Sequence, residues 1–346
     1  MENKKNKTKN KTRFQPGLYK TLTWHFIKNT LTGKKRFPLV LMLEPTHRCN
    51  LACMGCDRIR TAAEGDLPVS ACLEAARECG APVVAITGGE PMIYKYLQPL
   101  VKGLLSEGKY IYLCTNGVLA QEFIESFTPH PALTLNFHLD GLDTTHDKIT
   151  GLPGSFNKAV ESIRKAKAKG FRVSTNTTVY KASDPGELEG LFDLLYSSSV
   201  DGMLISPAFA YQSVEDNIFF NRGEINEKFT RMSGFLKKYP LINTPTYMDF
   251  LCGRRQMRCT PWGNPTYNPL GWKSPCYLVT DSYFPSYARM MKETNWSLYE
   301  DGKDPRCANC MVHGGYETTV MRMAFTNPLE GLRLAFWNFG SNNKKR

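Results

Sequence analysis

The chain has 346 residues, 42% of them hydrophobic, which suffices for one large domain with a smaller addition. Its eleven cysteines and the absence of a secretory leader pattern argue against a disulfide framework. They place the chain in the cytoplasm, and no apolar run approaches the about 18–20 residues that cross a bilayer.

The net charge of +12 sits at the two ends. Residues 1–36 carry eleven Lys/Arg against Glu2, and Lys344, Lys345 and Arg346 close the sequence. The near-neutral remainder argues against a face that tracks nucleic-acid phosphates. Residues 1–13 read as a basic disordered tail, and 331–346 as a second basic tail. Residues 14–36 read as an N-terminal helix started by Pro16. Its apolar residues, Leu18, Trp24, Phe26, Ile27 and Leu31, form no single clean stripe. Packing onto the body and lying on an anionic membrane surface both remain open for it.

From residue 38 apolar runs alternate with helical stretches. Strands are expected at 38–45, 83–87, 110–116, 133–140, 171–180 and 202–209. The helical stretches between them are VSACLEAARECG, YLQPLVKGLLSEG, LAQEFIESF, SFNKAVESIRKAKAKG and PGELEGLFDLLYSSS. This rhythm implies βαβ units and an α/β fold with a parallel sheet over 37–212. Six units suit an open, six-fold (β/α) barrel, with a doubly wound sheet as the alternative. Either arrangement puts ligands beyond the C-terminal strand ends. Residues 213–330 read as a smaller, loop-rich C-terminal region.

The first strand runs into CNLACMGC, with Cys49, Cys53 and Cys56 in a C-x3-C-x2-C array. A closed zinc site wants four protein ligands, and disulfides want pairs. Three thiolates can hold three corners of an iron–sulfur cube and leave the fourth iron open. One unit later TGGEP ends the second strand, where Gly88 and Gly89 permit close backbone approach and Glu90 offers an acceptor.

Together the two motifs resemble the radical S-adenosylmethionine (SAM) superfamily. The resemblance implies a 4Fe–4S cluster on Cys49, Cys53 and Cys56, with SAM on its open iron and its methionine part at Gly88, Gly89 and Glu90. RFPLVLMLEPTHRCNLACMGC, ECGAPVV, YLCTNG, HLDG, CTPWGNPTYNPLGWKSPCYL and CANCMVHGGYE are similar to the hopanoid-biosynthesis branch. That branch joins the 5′-deoxyadenosyl group of SAM to the terminal alkene of hopene, giving adenosylhopane. The likeness implies an apolar lipid substrate, an electron donor such as flavodoxin or ferredoxin, no nucleic acid, and a peripheral place at the membrane. It also makes Cys114, in YLCTNG, the hydrogen-atom donor; a buried core thiol is the other reading of that residue. Asn116, His138, Asp140, Asn176 and Ser206 are candidate SAM-binding residues at strand ends, each equally readable as a turn or cap residue.

Cys259, Cys276, Cys307 and Cys310 resemble the auxiliary-cluster segment of SPASM and twitch enzymes and are candidates for a second 4Fe–4S cluster. Zinc or free thiols are the alternatives. The resemblance implies a further cysteine after MVH, where this chain departs from it with Gly314. Cys72, Cys79 and Cys252 read as core. Two other functions stay open: a hydrogen-abstracting radical SAM modifier of a peptide or small molecule, and a zinc- or nucleic-acid-binding protein.

Overall fold

The computed structural model describes residues 15–57, 64–211, 213–214 and 218–340. Six parallel strands follow one another around the sheet: β1 (Val40–Thr46), β2 (Val83–Gly88), β3 (Tyr110–Thr115), β4 (Leu133–His138), β5 (Arg172–Val179) and β6 (Gly202–Pro207). Helices Val69–Cys79, Leu97–Ser106, Ala120–Ser126, Ser155–Lys169 and Pro185–Ser197 connect them. A further helix, Asp143–Thr150, precedes Ser155–Lys169; its short, polar sequence hides it from a periodicity argument.

The strand faces distinguish an open barrel from a doubly wound sheet. A doubly wound sheet buries both faces under helices and reads as apolar on both. Here Ile111 and Leu113 of β3 are buried, while Tyr110, Tyr112 and Cys114 alternate with them and are partly open. Phe137 and His138 in β4, and Val173, Thr175 and Asn176 in β5, repeat this division. One face packs on the helices and the other, more polar, faces an interior. Cys72, Cys79 and Cys252 lie buried in the main core.

The chain beyond residue 212 is more ordered than its Pro/Gly-rich composition suggests. Short strands β7 (Thr266–Asn268), β8 (Gly271–Pro275) and β9 (Thr280–Phe284) extend the sheet past β1, giving the order β6-β5-β4-β3-β2-β1-β7-β8-β9. β7 runs parallel to β1, and β8 and β9 are antiparallel. Strands of three to five residues are too short to leave a period in the sequence.

The N-terminal helix α1 spans Pro16–Leu31 and packs Leu18 and Phe26 inward. The expected basic tail at 331–346 is corrected: residues up to 340 belong to a helix, Pro328–Gly340, here α2. Asn327 ends the preceding helix His313–Thr326, and Pro328 restarts the chain at a first-turn position that favours proline. Leu334 and Asn338 hold α2 against the body. The expected tail at 1–13 and residues 341–346 lie outside the described residues.

Candidate active site at the strand ends

The C-terminal ends of β1 to β6 carry the polar motifs on one rim. The cysteine loop follows β1. Gly88 adopts φ +106°, and a Cβ there would lie 2.5 Å from the Thr46 carbonyl oxygen. A Cβ on Gly89 would lie 2.0 Å from the Arg48 carbonyl oxygen. Only glycine lets the end of β2 lie against the entry to the cysteine loop. There Gly89 N donates to Thr46 O at 2.9 Å and Glu90 N to Arg48 O at 2.8 Å.

Glu90 is fully buried, and its carboxylate is committed to the protein. It accepts from Met92 N (3.0 Å), Thr115 Oγ1 (2.8 Å) and Asn116 N (2.8 Å), joining the ends of β2 and β3. Burial pushes its carboxyl upward against these three bonds. Asn116 is a strut as well: its Nδ2 donates to Asn50 Oδ1 at 2.9 Å, inside the cysteine loop, and its Oδ1 accepts from Val118 N.

Cys49, Cys53 and Cys56 are unbridged thiols in one loop. Burial raises the thiols of Cys49 and Cys53, and the neighbouring cysteines raise them further. Both thiols favour the protonated form until a cation replaces the proton. Gly55 brings the loop against Tyr180, whose hydroxyl a Cβ would meet at 2.6 Å.

Cys114 faces the interior from β3. Asn136 Nδ2, directly across on β4, donates to its Sγ at 3.6 Å, and Ser174 Oγ on β5 donates to Asn136 Oδ1 at 2.8 Å. Burial pushes the Cys114 thiol up to about 11, so it keeps its proton at neutral pH. His138 Nε2 lies 2.6 Å from Asp140 Oδ2, while Asp140 Oδ1 accepts from Thr178 N. Burial lowers the His138 imidazole, but the Asp140 carboxylate outweighs it and the net shift is upward. Asn176, opposite His138, has a buried Oδ1 without a protein partner. A buried acceptor left open on the interior face fits a ligand donor. Ser206 is turned elsewhere: its Oγ accepts from His313 N at 3.3 Å and ties β6 to the C-terminal helix.

Cys259, Cys276, Cys307 and Cys310, from three separate segments, line one cavity of about 160 Å³. Burial raises all four thiols. Among the described residues no three Cys, His, Asp or Glu side chains converge as closely as one bound ion requires. The four thiols line this void, and four thiolates can ligate a cube of iron and sulfur or a zinc ion. Arg222 lines the same cavity with a buried Nε that lacks a partner. Gly315 makes room for Cys259, whose Sγ a Cβ would meet at 2.3 Å, and Gly314 packs on Tyr277, which lines the cavity. A second cavity of about 330 Å³ adjoins it, sharing Phe209, Leu278 and Val279 and reaching Asp57 beside Cys56. Sequence reasoning missed Asn50, Arg222, Gly315 and this second cavity, because each depends on segments far apart in the chain.

Comparison with known proteins agrees with this geometry. Residues 43–195 match the Radical SAM superfamily, and residues 203–334 match a Domain of unknown function (DUF3463). Fe-coproporphyrin III synthase of Methanosarcina barkeri is 27% identical over 174 residues, 49% of this chain and 43% of that protein. The chain spans about half the length of the curated relatives it matches. Streptococcus suis SuiB superposes with a TM-score of 0.61 at 14% identity, over 86% of this chain and 78% of that one. Native anSMEcpe with bound AdoMet gives 0.60 at 14% identity, over 89% and 100%. At that identity the two structures show the fold. The superfamily binds a 4Fe–4S cluster and SAM, and a loop of three unbridged thiols after β1, together with an open buried acceptor on β5, fits both groups. The alternative of a zinc- or nucleic-acid-binding protein is left without support. Residues 43–195 of the chain form a Radical SAM superfamily domain.

Proposed function

We propose that the enzyme adds the 5′-deoxyadenosyl group of SAM to the terminal alkene of a polycyclic hydrocarbon of the hopene type, giving adenosylhopane. Cys49, Cys53 and Cys56 hold the cluster, which when bound supplies the electron that splits SAM into methionine and a 5′-deoxyadenosyl radical. Gly88 and Gly89 bind the methionine part through backbone carbonyl oxygens, with Glu90 holding the strand end in place, since the Glu90 carboxylate and the N–H groups of Gly89 and Glu90 are already taken. Asn176 and His138 face the nucleoside from β5 and β4, with Asp140 orienting His138. Asn116 keeps the cysteine loop in register, and Ser206 braces the C-terminal region.

The observation that carries the proposal is Cys114, a protonated thiol on the interior face of the same rim. The 5′ carbon forms a bond to the =CH2 carbon, and the radical left on the substituted carbon takes the hydrogen atom of the Cys114 S–H. An electron donor such as flavodoxin or ferredoxin then supplies the electron that, with a proton, restores the thiol. Cys259, Cys276, Cys307 and Cys310, which line one cavity, hold a second 4Fe–4S cluster. A substrate of this kind resides in lipid, so the enzyme works at a membrane surface.

Anaerobic incubation with SAM, a reductant and hopene tests this. Mass spectrometry of the lipid fraction should find adenosylated hydrocarbon. Free 5′-deoxyadenosine with no lipid adduct would overturn it. That result would favour the second reading, hydrogen abstraction from a peptide or small molecule, which draws support from the fold likeness to SuiB bound to its precursor peptide.

A further inference from the structure

Large apolar side chains scattered singly over a surface carry no message, but clusters do. Ten such side chains are exposed among the described residues, and six of them lie on just two helices. Trp24, Ile27 and Leu31 recur along α1 at helical spacing, and Leu329, Leu332 and Phe336 repeat that spacing on α2. Four of the six are at least 65% exposed: Trp24, Leu31, Leu329 and Phe336. Each helix meets the body with its opposite side: α1 through Leu18 and Phe26, α2 through Leu334 and Asn338. The two stripes therefore point outward, and neither belongs to the core.

The helices are neighbours. Tyr19 Oη on α1 donates to Asn338 Oδ1 on α2 at 3.1 Å, and Phe26 stacks on Phe325 at 4.3 Å just before α2 begins. The Tyr19–Asn338 bond sets the start of α1 beside the end of α2. The charges around the stripes have one sign. α1 contains no Asp or Glu, and Lys20 and Lys28 flank its stripe in the open. The only acidic residue of α2, Glu330, is bound inward by Arg255 and Thr246. Residues 1–14, joining at the start of α1, hold six Lys/Arg and one Glu, and residues 341–346, joining at the end of α2, hold three Lys/Arg and no acid.

We infer that the outer faces of α1 and α2 form one docking surface for an anionic lipid bilayer. The six apolar side chains enter the acyl boundary, and Lys20 and Lys28 meet the headgroups, in a chain whose two ends are rich in further basic residues. Two signals of this kind, apolar insertion plus a basic cluster, are what stable attachment without a spanning helix requires. No helix among the described residues is long and apolar enough to cross a membrane. The surface is read from the two helices alone; its part in catalysis rests on the proposed lipid substrate.

The test is flotation of the purified holoenzyme with vesicles of phosphatidylcholine, with and without phosphatidylglycerol. The wild type should float with the anionic vesicles and not with neutral ones, and raising salt from about 50 to about 500 mM should weaken but not abolish binding. The triple variant Trp24→Glu, Leu332→Glu, Phe336→Glu should lose on the order of tenfold or more in vesicle affinity, while cleaving SAM in buffer at the wild-type rate, which shows that it folds. Failure of the wild type to float would overturn the surface, as would undiminished binding by the variant. So would self-association of the wild type that the variant abolishes, with no vesicle binding by either. These assays contain no hopene, so failure here is distinct from absence of the adenosylated lipid.

Discussion

Asn136 Nδ2 points at the sulfur of Cys114 across adjacent parallel strands, at 3.6 Å. The donor fixes where the thiol sits, and the thiol's own hydrogen makes only a long contact, 3.9 Å, to Tyr112 O. Cys114→Ala should therefore still cleave SAM and consume alkene, but the fully reduced adenosylated lipid should fall to background. Deuterium from solvent, which exchanges onto the thiol, should appear at one carbon of the wild-type product. Normal yield from the alanine variant would dismiss the thiol as donor.

Glu90 gives a test that separates a structural carboxylate from a ligand contact. Removing it leaves the donors of Met92, Thr115 and Asn116 facing a buried hole. Glu90→Ala should cost about 2–4 kcal/mol of stability in denaturant titration, by the penalty for unpaired buried groups. Glu90→Gln keeps an acceptor for part of the set and should lose less. A carboxylate that served SAM alone would lower SAM affinity in both variants and leave stability untouched.

The strands were legible because each is an apolar run of β-branched and aromatic residues between helices of ordinary length, and the cysteine spacing was legible because all three thiols sit in one loop. What escaped depends on distance in sequence. A Gly-Gly-Glu strand end reads the same whether the Glu side chain or its backbone faces a ligand, so the role of Glu90 as a clasp between β2 and β3 was invisible. Ser206 looked like a ligand contact because nothing local shows that His313, over a hundred residues on, takes its hydroxyl. α1 gave a blurred pattern because it has two apolar stripes on opposite sides, Leu18 and Phe26 inward and Trp24, Ile27 and Leu31 outward.

The four C-terminal thiols yield a count. Wild-type protein loaded anaerobically should hold about eight irons, and Cys276→Ser or Cys310→Ser about four, with the SAM-binding cluster retained. Gly315→Ala should have the same effect without touching a ligand, because its methyl would press on the Cys259 sulfur. Gly314→Cys should add no iron, because its Cβ would meet the ring of Tyr277, a wall of the thiol cavity, at 2.7 Å. Zinc in place of the second set of irons would overturn the cluster assignment.

His146 should make the Asp140 turn sensitive to acid. Its ring is fully buried, Nδ1 accepts from Asp140 N at 3.2 Å, and Nε2 has no partner. Burial holds the imidazole down at about 4, against an ordinary 6.5, with Asp140 only partly offsetting it. The folded state therefore takes up this proton later than the unfolded one. The stability it supports is complete above pH 6.5 and is lost as pH falls toward 4, by on the order of 2–3 kcal/mol. Glu317 works in the opposite sense: burial raises its carboxyl to about 7, so its contribution is complete below 4.5 and lost as pH rises to 7. The two trends oppose each other across pH 4.5 to 6.5, so a melting curve of the wild type alone would hide both. His146→Gln keeps an acceptor for Asp140 N without a titrating group. Between pH 7 and 5, amide protection factors over residues 136–150 should fall in the wild type and stay nearly flat in this variant. Equal loss of protection in both would mean that the turn opens for another reason.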